Sequence, residues 1–155
     1  MTKLTLSAIL LALALMGCRS SMDTAAAAYL AMEAETDVGQ DAVRAEFRAA
    51  QVDPARYGPA YALSIAWRED FIRRLDGLEF PDQVRDQVTA LRAAEVALVD
   101  VERTLAGSLT VPHVYGPGNP AYPAAARARD ELRRVLGLPK VQLPVLVQES
   151  FGPAP

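Results

Sequence analysis

The side chains with the most capacity for chemistry are few and widely spaced. The chain holds one cysteine, Cys18, and one histidine, His113. A lone thiol can be a nucleophile, a metal ligand or an acyl acceptor, but it has no partner within the chain for a disulfide. His113 stands near Tyr115 in the stretch Gly107 to Pro120, which is rich in glycine and proline. Catalysis by His113 would need a carboxylate partner, and Glu95 or Glu102 is the candidate. Those two glutamates lie seven residues apart, and in a four-helix bundle inward carboxylates can hold a di-metal centre. That design also uses Glu-x-x-His pairs, which the chain lacks, so both glutamates read as charges flanking an apolar stripe. Glu33, Glu35, Asp37 and Asp41 would make a cation site only if they converged. Glu33 and Asp37 share a helical face whereas Glu35 points elsewhere, so a solvated face is expected. Arg127, Arg129, Arg133 and Arg134 could meet an anionic lipid or a phosphate. Asp130 and Glu131 interleave with them, which favours a mixed, solvated surface. Trp67 could line a ligand cavity with Phe71, Tyr61 and Phe47, but a large aromatic of this kind is more often a core anchor. No serine sits in a G-x-S-x-G setting. The expectation is therefore no catalytic residue, no metal and no cofactor, and the chain is not read as an enzyme.

Four helical patterns must position these residues. Tyr29, Met32, Thr36, Val43, Phe47 and Ala50 recur at helical spacing in an alanine-rich stretch, predicting a first helix over Ala25 to Ala50, with Gly39 weakening it midway. Asp53-Pro54, or Gly58-Pro59, starts a second helix that runs to about Gly77. Its apolar stripe is Tyr61, Ile65, Trp67, Phe71, Ile72, Leu75 and Leu78, with Arg68, Glu69, Asp70, Arg73 and Arg74 on the opposite side. The third helix, Pro81 to Ala106, repeats Val84, Leu91, Leu98 and Leu105 every seven residues, and Gly107 stands next, where a capping glycine belongs. A fourth helix opens at Asn119-Pro120 or Tyr122-Pro123 and ends at Leu136. Its inner face is Ala125, Ala128, Leu132, Val135 and Leu136, its outer face the arginines, and Gly137 and Pro139 stop it. Beyond it, Val141, Leu143, Val145 and Val147 alternate with other residues, while Pro139 and Pro144 forbid a central strand. This tail either packs on the helices, which is preferred, or awaits a partner strand.

The leader carries the most specific pattern. Lys3 precedes an apolar run from Leu4 to Met16 that is too short to span a bilayer, which takes about 20 residues. A charged start and a short apolar stretch are the build of a secretory signal peptide. It ends in Leu15-Met16-Gly17-Cys18, which resembles the lipobox of bacterial lipoproteins. The resemblance implies cleavage before Cys18 and acylation of that residue. Met16 departs from the small residue or valine more usual there, and Arg19 is not the aspartate of inner-membrane retention. In a Gram-negative host this implies the periplasmic face of the outer membrane. Two or more acyl chains hold a protein stably on its membrane, at about 0.8 kcal/mol per buried CH₂. The segment Ile65 to Leu105 also resembles a pattern common in small helical lipoproteins of GC-rich bacteria, and that resemblance brings no activity with it.

Removing residues 1–17 takes Lys3 from the 16 basic residues and none of the 19 acidic ones, leaving a net charge of about −4. Such a chain is a poor ligand for nucleic acid. The organisation expected is a cleaved signal peptide at 1–17, a lipidated tether at 18–24, a helical domain at 25–137 and an extended tail at 138–155. The fold class expected is all-α: a three- to four-helix antiparallel up-and-down bundle with an irregular C-terminal tail. Function is expected to be that of a lipid-anchored envelope protein with a structural or protein-interaction role. Its partners would be the membrane, through the lipid on Cys18, and an envelope protein. The alternative is a bundle that carries a small ligand or lipid.

Overall fold

The computed structural model describes residues 20–107 and 119–140. The leader with Cys18, the stretch containing His113 and Tyr115, and the tail from Val141 onward lie outside the described residues. Four α-helices make up most of the described chain: α1 (Ser21–Val52), α2 (Tyr57–Asp76), α3 (Arg85–Gly107) and α4 (Ala121–Val135). Single turns of 3₁₀ helix, Pro54–Arg56 and Asp82–Val84, lead into α2 and α3. The all-α class stands, and there is no strand among the described residues.

Helix α1 begins earlier than its apolar periodicity predicts. Ser20 accepts a hydrogen bond from the Asp23 amide at 3.1 Å, and Asp23 accepts one from the Ser20 amide at 3.2 Å. This reciprocal capping box satisfies two amides that the first turn leaves open. Residues 21–24, expected to form part of a tether, are therefore the first turn of the helix, and Met22 packs against the core. Asp53 ends α1 and also accepts from the Ala55 amide at 3.1 Å, so one residue closes a helix and opens the next. Gly107, expected as a cap, falls within α3, at the edge of the described residues. At the end of α4, Gly137 adopts φ 72°. Its amide reaches the Arg134 carbonyl at 3.1 Å and the Leu138 amide reaches that of Arg133 at 2.8 Å, a Schellman turn that folds Leu138 back onto the core.

Side-chain pairs give the direction of each neighbour. Glu46 meets Arg56 and Glu35 meets Arg74, so α1 and α2 run antiparallel. Asp76 meets Arg92 and Glu69 meets Arg103, which sets α3 against α2. Glu102 meets Tyr122 and Glu95 meets Arg129, which sets α4 against α3. The core is built where the N-terminal half of α1, the Gly77–Pro81 connection and the end of α4 come together. Tyr29, Met32, Phe71, Leu75, Val84, Leu91, Leu132 and Leu136 are buried there, with Phe80 packed on Tyr29 at a ring separation of 6.5 Å. Each fully buried large apolar side chain contributes roughly 1.5–3 kcal/mol. The heptad stripe of the third helical segment is confirmed in Val84, Leu91 and Leu98, all buried.

Candidate functional site

The bundle is not closed on every side. Helix α1 packs on α2, α2 on α3 and α3 on α4. The seam between α4 and α1 closes around Tyr29, Met32, Leu132 and Leu136, and beyond them it opens into a groove of about 520 Å³. Leu30, Ala34, Asp37 and Gln40 of α1 form one wall, and Arg129 and Arg133 of α4 the other. Trp67 and Phe71 of α2 also line it, and Lys140 joins them just after α4.

Trp67 is half-buried in this groove rather than a core anchor, which corrects the preferred reading of the sequence. Its indole Nε1 donates to the Thr36 carbonyl at 2.9 Å. The ring can come that close to α1 because residue 39 is glycine: a Cβ there would stand 2.8 Å from Trp67 Cδ1. Gly39 is thus the place where a side chain of α2 meets the backbone of α1. Phe71 is buried behind Trp67, their rings 6.1 Å apart. The other two aromatics expected in a cavity do not line it. Phe47 and Tyr61 pack edge to face at 5.5 Å farther along the α1–α2 seam.

Charges expected on the outer faces are turned inward. Glu95 and Glu102 do not flank the stripe of α3; they are 1% and 0% exposed. Arg68, expected opposite the apolar side of α2, spans them, with Nη1 to Glu95 at 2.7 Å and Nε to Glu102 at 2.9 Å. Arg129 donates to the other Glu95 oxygen at 2.9 Å, and its guanidinium lies over Phe71 at 4.8 Å. Tyr122 donates to Glu102 at 3.2 Å. The cluster holds two cations and two carboxylates, so it is neutral, and within it Glu102 Oε2 is the atom left buried without a hydrogen-bond partner among the described residues. Such a network is costly to desolvate and strongly destabilising when one member is removed.

Glu33, read as solvated, is mostly buried beside Tyr29 and pairs with Arg133, whose Nε donates to the Pro139 carbonyl at 2.7 Å. Burial raises the pKa of Glu33, an effect that Arg133 opposes, and burial also pushes the Tyr29 hydroxyl up. Glu35 is taken by Arg74 and Asp41 by Arg44. Three of the four acidic residues, Glu33, Glu35 and Asp41, are therefore split among separate arginines, and no group of three metal-ligating side chains is assembled among the described residues. Of the four C-terminal arginines, Arg129 and Arg133 turn inward while Arg127 and Arg134 stay exposed. No helix among the described residues is long and apolar enough to cross a membrane. Compared with known protein families, curated proteins and solved structures, the chain matches none.

Proposed function

We propose that this chain is a lipid-anchored bacterial envelope protein with a non-enzymatic role, and that it engages a protein segment through the α1–α4 groove. The observation that carries the reading is the mixed lining of that groove. Trp67, Phe71, Leu30 and Ala34 offer apolar contact, while Asp37, Gln40, Arg129 and Lys140 offer donors and acceptors along the walls. An extended peptide has both kinds of group, since its side chains seek the apolar surface and its amides and carbonyls need partners. An acyl chain has nothing to satisfy charged walls, which weighs against the lipid-carrier alternative.

Attachment rests on Leu15-Met16-Gly17-Cys18, and its test is metabolic labelling with a clickable fatty acid in a bacterial host. Label on the unaltered chain and none on Cys18→Ala is the expected result. Equal labelling of both, or of neither, would remove the anchor from the proposal.

A further inference from the structure

We infer that the partner segment taken by the α1–α4 groove is an extended peptide of mixed charge, with a basic side chain for Asp37 and an acidic one for Lys140 on either side of an apolar residue for Trp67. This rests on the reading of the groove as a peptide site and adds the chemistry of its occupant.

Most of the charge in the lining is neutralised within the protein. Arg133 pairs with Glu33, Arg44 with Asp41, and Arg129 with Glu95 behind the wall. The remaining N–H groups of these arginines can still donate to a peptide backbone, but a charged ligand would have to break an existing pair to engage one of them fully. Two lining charges are left without an opposite partner among the described residues, Asp37 on the α1 wall and Lys140 beyond α4. Both are exposed, and their signs are opposite.

The two charges are also offset along the groove. Arg133 bonds both Glu33 and the Pro139 carbonyl, which holds Lys140 near the level of Glu33. Asp37 lies one turn farther along α1, about 6 Å at helical rise. Trp67 meets α1 at that same level, between Thr36 and Gly39, with Phe71 behind it. In an extended chain alternate side chains share a face. One charge, an apolar residue and the opposite charge at alternate positions therefore present all three to the groove together. A segment of a single sign would bring a like charge against Asp37 or Lys140, and such opposition is how an interface rejects wrong partners.

Trp67 is the only tryptophan, so its emission reports occupancy of the groove. The probes are short acetylated and amidated peptides with a central leucine and a serine on each side of it. Their outer positions are lysine and glutamate, both lysine, or both glutamate. The protein is the chain from residue 18 onward with Cys18→Ser, alone and with Asp37→Lys or Lys140→Glu. Expected is a saturable shift in emission, with the mixed peptide binding about threefold more tightly than either single-sign peptide. Asp37→Lys should move the preference to the glutamate peptide and Lys140→Glu to the lysine peptide. Helical circular dichroism and the urea midpoint should not change. Equal affinity for the three peptides, or a preference that both substitutions leave in place, would overturn the inference while keeping the groove as a peptide site. No shift with any peptide would remove that reading as well. Neither outcome touches the fatty-acid label on Cys18, so failure here is distinguishable from failure of the anchor.

Discussion

At the residue scale, the buried ion network makes the sharpest demand on the sequence. Arg68→Met would strip Glu102 of its cation and leave Glu95 with Arg129 alone, both carboxylates still out of water. The expected cost is about 3–5 kcal/mol, read as a drop in urea stability. The double variant Arg68→Met, Glu102→Leu removes one charge of each sign and keeps the Arg129–Glu95 pair, so it should recover most of that loss. A single variant within about 0.5 kcal/mol of the parent, the range of an ordinary surface substitution, would show that the network carries no stability. Part of this network was legible. Val84, Val88, Leu91, Glu95, Leu98, Glu102 and Leu105 succeed one another at alternating steps of four and three, which places both glutamates in the seam itself. Tyr61, Ser64, Arg68, Phe71 and Leu75 do the same on α2, as do Ala125, Arg129, Leu132 and Leu136 on α4. Reading charge as a mark of the outer face overrode that spacing on all three helices. One charged seam position is a local anomaly; four, on three helices, that neutralise one another become intelligible only when the helices are put side by side.

At the element scale, four helices, their approximate ends and their antiparallel order are set by capping residues, prolines and apolar periodicity. The start of α1 was missed because its cap, Ser20 with Asp23, is polar and precedes the apolar repeat by several residues. The purpose of Gly39 was hidden for a different reason. Within α1 it looks like a weak point, and only the indole from α2 explains it. Replacing a mid-helix glycine by alanine ordinarily gains about 0.5–1 kcal/mol. Gly39→Ala should instead lose about 1–3 kcal/mol, because the Trp67 ring is held by its bond to the Thr36 carbonyl and cannot swing clear without breaking it. Thermal melts monitored by circular dichroism, with tryptophan emission alongside, would check this. A rise in melting temperature with unaltered emission would mean that the ring yields freely.

At the scale of the whole molecule, three of the four helix seams are closed and the fourth is open over part of its length. No helical periodicity could have announced this, since each helix taken alone has an adequate apolar stripe. The opening arises from how α4 is used. Arg129 reaches across to α3 and Arg133 to α1, so polar side chains stand where a closed bundle would interdigitate apolar ones.

The capping box at Ser20 bears on posture as well as on helix stability. Were Cys18 acylated as proposed, Arg19 alone would separate the lipid from the first cap of α1 in the sequence. On the proposed anchor, a connection that short would make the helix a mast. Its 32 residues rise about 48 Å, so the Gly77–Pro81 turn would ride at the headgroups and the α1–α2 corner would stand well clear of them. In vesicles bearing the acylated protein, a fluorophore on Glu79→Cys should be quenched by a bilayer-resident quencher and one on Ala55→Cys should not. Equal quenching would lay the mast flat. Upright, it would offer its groove sideways at a fixed elevation, within reach only of a partner whose own segment arrives at that height.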